Sequence, residues 1–454
     1  MPYSILCFRR LACLPNIKFR MLATLCALIF LIDSTACHGE EINYDESKVG
    51  QFTLPEVLRT TDGKLISTPE EWISRRRPEL LRLFEQHVYG TLPDSVPRIR
   101  TRTISAVAAL EGAALRREIT VYFSDNDDGP KLDLLVYTPK ESRNPVPCFV
   151  GLNFGGNHTV ESDPQIRITE SWVRNAPDVG ITENRATEKS RGSASGRWPL
   201  SMIIRRGYGV ATAYYGDIDP DFDDGFQNGI HQLQPDRSET GDSSGGSISA
   251  WTWGLSRILD VLQQDSLIDG DHVAVIGHSR LGKTALWAGA TDERFAMVIS
   301  NNSGCGGAAL SRRNYGETVA RINSSFPHWF CRNHREYNNN EQSMPIDQHQ
   351  LLALIAPRPL YVASAEDDRW ADPTGEYLGA YHAGPAYALF GVTPLPSIEP
   401  PPVNQPVMHQ IGYHIRSGKH DINEYDWQQY LQFADDHWRS PGSTLKATST
   451  GAAP

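Results

Sequence analysis

Val273-Ala274-Val275-Ile276-Gly277-His278-Ser279-Arg280-Leu281-Gly282-Lys283, continued by Thr284-Ala285-Leu286-Trp287, is the stretch on which the fold turns. A β-rich apolar run leads into Gly-His-Ser-Arg-Leu-Gly, and a helical pattern follows. That is strand, sharp turn, helix, with a serine at the apex, the context of a nucleophile elbow. A turn this tight forces Ser279 into a strained backbone conformation, and a residue without a side chain at 277 lets strand and helix approach closely. The hydroxyl is then lifted to the C-terminal edge of a sheet. The helix aims its first amides at the same point, which favours developing negative charge there. Leu281 stands where the usual elbow has glycine, and Gly282 sits one place later. An incidental serine in a glycine-rich turn is the plain alternative. The strand before, the helix after and the partners found further along the chain argue against it.

Working outward, the same alternation of strand and helix recurs. Short apolar runs at Pro147–Phe154, Gly209–Tyr215, Phe295–Ser300 and Pro359–Ser364 read as buried strands, and Trp251–Gln263 and Asp426–His437 as helices. Upstream, Pro69–Tyr89 has a helical apolar face, and residues 98–125 and Leu132–Tyr137 alternate as strands around a turn at Asn126-Asp127-Asp128-Gly129. The pattern predicts an α/β fold of the α/β-hydrolase kind, a three-layer sandwich with a mostly parallel sheet covered by helices on both faces. Residues 157–199 and 308–346 are long and poor in apolar residues, and insertions of that kind build a site or a lid. Pro394–Pro406 reads as a surface excursion.

The chain has 454 residues, 40% hydrophobic and 21% charged, enough for one large domain with insertions. Net charge is −11 and no basic run longer than Arg75-Arg76-Arg77 occurs in the body of the chain, which argues against nucleic acid and anionic membranes as partners. Arg9, Arg10, Lys18 and Arg20 precede the apolar run Leu22–Ile32 and the small residues Ser34-Thr35-Ala36. That order reads as an export signal over residues 1–36, too short to span a bilayer comfortably. Cys37 follows directly, so lipid attachment is the second reading, ranked lower because Ser34 stands where a lipobox usually has leucine. The catalytic domain is placed at residues 41–440 and a disordered Ser/Thr/Ala/Gly-rich tail at 441–454. Export permits a disulfide, for which Cys305 with Cys331 is the better pair. No metal-ligand spacing and no phosphate-binding glycine loop is present, so no cofactor is expected, and the chain is expected to act as a monomer.

An α/β-hydrolase triad runs serine, acid, histidine along the chain. His420 lies in the turn-like Ser417-Gly418-Lys419-His420-Asp421 before the last helix, the expected place for a general base; His409, His414 and His437 suit structural roles better. The acid should follow a strand. After Tyr361-Val362-Ala363-Ser364 come Glu366, Asp367 and Asp368, and chemistry alone does not choose among them.

These residues resemble a known family, the glucuronoyl esterases of carbohydrate esterase family 15. The resemblance covers residues 45–440 and rests on Gly277-x-Ser279-Arg280-x-Gly282-Lys283. Asn302-Ser303-Gly304-Cys305-Gly306-Gly307, Phe326-Pro327-His328-Trp329-Phe330, Ala365-Glu366-Asp367-Asp368-Arg369-Trp370 and Gly418-Lys419-His420 extend it. It implies Ser279 as nucleophile, His420 as base and Arg280 as oxyanion stabiliser through both side chain and amide. It also implies that Lys283, Glu317 and Trp370 hold a glucuronic acid. Many members carry a catalytic glutamate where this chain has Asn302. Bacterial relatives with the acid after the next strand place it two residues before the tryptophan, which selects Asp368. The implied substrate is an ester of 4-O-methyl-glucuronic acid joining glucuronoxylan to lignin alcohols. Acetyl-xylan or general carboxylester cleavage on the same fold is the rival reading. A peptidase of the prolyl-oligopeptidase kind would need a propeller for which about 100 leading residues are too few. A non-catalytic carbohydrate binder would have Asn302 as its one argument.

Overall fold

The computed structural model describes residues 42–92, 99–233 and 241–439. The export signal, Cys37 and the tail fall outside these residues. A ten-stranded sheet runs through the domain in the order β1-β2-β3-β5-β4-β6-β7-β8-β10-β9. The strands are β1 (Arg100–Ala109), β2 (Ala114–Tyr122), β3 (Lys131–Pro139), β4 (Val146–Asn153), β5 (Gly209–Tyr214), β6 (Ile268–His278), β7 (Met297–Asn301), β8 (Leu360–Ala365), β9 (Val407–Met408) and β10 (Ile411–Arg416). From β5 through β4, β6, β7 and β8 to β10 every pair is parallel. The meander β1-β2-β3 joins β5 antiparallel, and β9 closes the far edge antiparallel to β10. The helices used below are α1 (Arg77–Phe84), α2 (Ser247–Gln263), α3 (Arg280–Thr291), α4 (Pro373–His382) and α5 (Glu424–Trp438).

Alternation along the strands explains the layers. Val273 and Val275 of β6 enter one core with Leu255 and Ile258 of α2 and Leu286 of α3. Ala274 and Ile276 enter the other, with Trp427, Tyr430 and Phe433 of α5. A strand buried on both faces reads as a continuous apolar run, which is what β6 is from Val273 to Ile276. Pro69–Tyr89 is helical as its pattern predicts, but with two wider-wound stretches, Trp72–Arg76 and Glu85–Tyr89, on either side of α1. The expected disulfide does not form. Cys305 and Cys331 are free and buried, and the Cys331 thiol is turned to the Gln86 carbonyl at 3.7 Å. No described helix is long and apolar enough to cross a membrane.

Candidate active site

The elbow is as tight as its sequence demands. Ser279 has φ 58° and ψ −129°, between the end of β6 and the first residue of α3. A Cβ on residue 277 would lie 1.8 Å from the Leu281 carbonyl oxygen, so only glycine fits there. Leu281 is tolerated in place of the usual glycine because its side chain turns into the core, 1% exposed. The close approach falls instead at Gly282, where a Cβ would come within 3.0 Å of Ser303. The Ser279 amide donates to Asn301 O at 2.9 Å, tying the turn to the end of β7. The Arg280 amide opens α3, where the first N–H groups have no intrahelical acceptor.

Two later loops bring an imidazole and a carboxylate to the same edge. The loop after β10 is pinned to the loop after β8 by Glu366 N to Arg416 O at 2.9 Å and Asp367 N to Gly418 O at 3.0 Å. Arg416 shapes the loop from within, donating to the carbonyls of Ser417, Lys419 and Asp421 while its Nε binds Asp426 of α5. Gly418, at φ 97°, supplies the bend that an L side chain would resist. His420 Nδ1 then lies 2.5 Å from Asp368 Oδ2. Of the three adjacent carboxylates, Glu366 and Asp367 are exposed and Asp368 is buried. Asn302 Nδ2 donates to the same Asp368 oxygen at 2.7 Å. The amide at 302 is thus a hydrogen-bond donor to the acid. The His278 ring packs 4.6 Å from that of His420, its Nδ1 2.6 Å from Asn301 Oδ1. Burial first, then the neighbouring His420 and Arg197, hold His278 well below the usual imidazole range, so it faces His420 uncharged.

Ser279, Arg280, His278 and His420 line one cavity of about 730 Å³. The 157–199 insertion lines the same cavity with Val173, Arg174, Ala176, Val179, Ile181 and Arg197. Ser279 and His420 share this cavity without a hydrogen bond between the hydroxyl and the imidazole, and catalytic contacts of this kind commonly tighten in the complex with substrate. Arg280 lies among Phe154, Phe326 and Trp329, its guanidinium carbon 5.6, 5.7 and 4.9 Å from the three ring centres. Its Nη1 donates to Asp221 Oδ2 at 2.5 Å. Lys283 is buried, not solvated: its Nζ donates to the Ser303 carbonyl and lies 3.9 Å from Glu317. Burial raises the Glu317 carboxyl above its usual range, against the opposing pull of Lys283 and the Trp370 side chain. The Glu317 amide donates to Trp370 O at 2.9 Å, so these three residues form one group. Sequence reasoning missed Asp221 and Tyr215, which follow β5 in a run of aspartates where Asp221 is set apart by the side chains that donate to it.

A strained serine at the carboxyl edge of a parallel sheet, met there by side chains from two later loops, is the construction of an α/β-hydrolase, and the class follows from the topology. The family described as glucuronyl esterase, fungi, matches residues 240–391. Carbohydrate esterase MZ0003 from an unknown prokaryotic organism is 49% identical over 397 residues, covering 87% of this chain and 92% of its own. A solved promiscuous CE15 esterase from a marine bacterial metagenome superposes with a TM-score of 0.83 at 49% identity, over 87% of this chain and 100% of that one. A glucuronoyl esterase from Solibacter usitatus does so with a TM-score of 0.82 at 46% identity, over 86% and 100%. The 4-O-methyl-glucuronoyl methylesterase of Hypocrea jecorina is 35% identical over 350 residues, 75% of this chain and 63% of that one. The chain belongs to carbohydrate esterase family 15, and it is an esterase.

Proposed function

We propose that this esterase cleaves esters of glucuronic acid, 4-O-methylated as in glucuronoxylan, with lignin-type alcohols, through Ser279, His420 and Asp368. The observation that carries the triad is the contact of His420 Nδ1 with the buried Asp368 carboxylate at the mouth of the Ser279 elbow. Asp368 keeps the proton on Nδ1, leaving Nε2 free to accept the Ser279 proton as the hydroxyl attacks the uronate carbonyl. The Arg280 amide and guanidinium receive the oxyanion, each such donor being worth roughly 3 kcal/mol. His420 returns the proton to the departing alcohol, and a water deprotonated by His420 then releases the uronate and regenerates Ser279. Lys283, Glu317 and Trp370 are the polar group that would hold sugar hydroxyls and ring. The names of the relatives support the uronate; the apolar Val173, Ala176, Val179 and Ile181 across the cavity suit an aromatic alcohol.

A broader ester range is the second reading, favoured by the same apolar wall and by the 49% identical relative described as promiscuous. Turnover of benzyl glucuronate against a 4-nitrophenyl acetate or acetyl-xylan substrate decides between them. Faster acetyl release overturns the uronate assignment while leaving the triad intact. Export by residues 1–36 is part of the same proposal, and N-terminal sequencing of the protein from the medium or periplasm tests it.

A further inference from the structure

Asp221 is fully buried and is not part of the triad, yet it collects five side-chain donors. Its Oδ1 accepts from His328 Nε2 at 2.9 Å and Trp329 Nε1 at 2.7 Å. Its Oδ2 accepts from Tyr215 OH at 2.9 Å, Arg280 Nη1 at 2.5 Å and Arg174 Nη2 at 3.2 Å. A carboxylate offers about four lone-pair directions, so Asp221 has none left for a substrate or for work as a base. Burial alone would raise its pKa. The His328 bond, the Arg280 charge and the Trp329 bond outweigh that and hold the carboxyl well below the usual range. It is therefore a fixed negative charge, and what it fixes is the residue beside the nucleophile.

The geometry at Arg280 shows how. Asp221 takes Nη1 and three aromatic rings box the guanidinium, so the group has a single seat. Within that seat Arg280 Nε is buried and has no partner among the described residues. The Arg280 side chain as a whole remains 19% exposed and lines the cavity, so part of the seated guanidinium group still faces the space where an ester would sit. Arg174 adds a second link. It belongs to the 157–199 insertion, lines the same cavity, and gives Nη2 to both the carboxylate and the backbone carbonyl of Asp221.

We propose that Asp221 is a positioning residue for ester cleavage: it seats the Arg280 guanidinium for the oxyanion and, through Arg174, couples that seat to the insertion that lines the same cavity. This rests on the assignment of Arg280 to the oxyanion made above, and the test separates the two. The full chain is measured with benzyl glucuronate as Asp221→Asn, Arg280→Gln and the double variant, with inhibition by free glucuronate as a second readout. Arg280→Gln lowers kcat/KM by about 100-fold, as loss of an oxyanion donor does. Asp221→Asn lowers it by about 30-fold in the wild-type background and by less than about 3-fold beside Arg280→Gln, the signature of two residues acting as one. Glucuronate inhibition weakens in both single variants. Equal Asp221→Asn losses in the two backgrounds overturn the coupling and leave Asp221 a loop clip. An inert Arg280→Gln overturns the oxyanion assignment and this inference with it. Should Asp221→Asn not melt cooperatively, Tyr215→Phe and Arg174→Ala carry the same cycle, with losses of about 3- to 10-fold that vanish beside Arg280→Gln; losses that persist there reject the proposal.

Discussion

Replacing Asp368 with asparagine keeps the shape of the side chain and removes its charge, so it isolates what the acid does for His420. The carboxylate oxygen is 2.5 Å from Nδ1, and Asp368 is only 5% exposed. When His420 takes the serine proton it becomes an imidazolium with charge centres about 4 Å from the carboxylate; at an effective dielectric of about 20 that attraction is worth about 4 kcal/mol. The His420 side chain is 40% exposed, so solvent screens part of this. Asparagine adds a second penalty. The oxygen that His420 contacts also accepts from Asn302; an asparagine that kept its oxygen there would offer His420 no charge, and one that turned its nitrogen there would place the ring proton on Nε2. Together these predict a loss of about 10³ to 10⁴ in kcat at pH 7.5, with KM changed far less. Steady-state hydrolysis of benzyl glucuronate measures it, with cooperative melting as the check on folding. Glu366→Gln and Asp367→Asn, both in solvent, should stay within about threefold of wild type. Retention of a tenth of wild-type kcat by Asp368→Asn, or a comparable fall in either control, refutes the reasoning.

Lys283→Met removes the buried ammonium 3.9 Å from Glu317, and KM for the uronate ester should rise about tenfold or more while kcat falls less, as for a contact made equally in ground and transition state. Gly277→Ala sets a Cβ 1.8 Å from a backbone oxygen; thermal melting should show a loss of about 3 kcal/mol or more, or no folded protein. Glu376 is buried beneath the site, accepts from the Gly304 amide and the Ser364 hydroxyl, and is raised from 4.5 to about 8 by burial. The folded chain holds that proton where the unfolded chain has lost it, so wild-type stability should be greatest below about pH 4.5 from this group and fall as pH rises to about 8. The ceiling is about 5 kcal/mol, and Glu376→Gln should flatten the melting temperature over that window.

What was legible follows physical lines. The elbow could be read because the second half of β6 is apolar on both faces and because the turn admits only glycine at 277. The loop holding His420 could be read from chain order and from Gly418. The acid could not be chosen from composition, since Glu366, Asp367 and Asp368 differ by burial, a property of the fold and not of the residue type. Asp221 was hidden among Asp217, Asp219, Asp223 and Asp224 because the donors that gather on it come from elements distant in the chain, Arg280, His328 and Trp329. The Cys305–Cys331 pairing failed because proximity in sequence pattern says nothing of where a thiol points. The two wider-wound stretches around α1 carry no pattern that ordinary helical periodicity would separate.

The absence of a carboxylate at position 302 is better explained by the sheet than by loss of function. β7 and β8 are parallel neighbours with Asn301 opposite Ala363, and the Asn302 amide donates to Ala363 O at 2.7 Å. Their ends therefore deliver residues 302 and 368 to one point, and the two side chains meet there at 2.7 Å. Acids at both positions could not both ionise at that separation, and the shared proton would weaken the charge offered to His420. An amide at 302 does the opposite. It donates to the one carboxylate present, so in the proposed triad Asn302 and Asp368 act as a pair whose negative charge is supplied from the end of β8. A degenerate, sugar-binding scaffold would have no cause to keep Asp368 buried with one oxygen shared between Asn302 and His420.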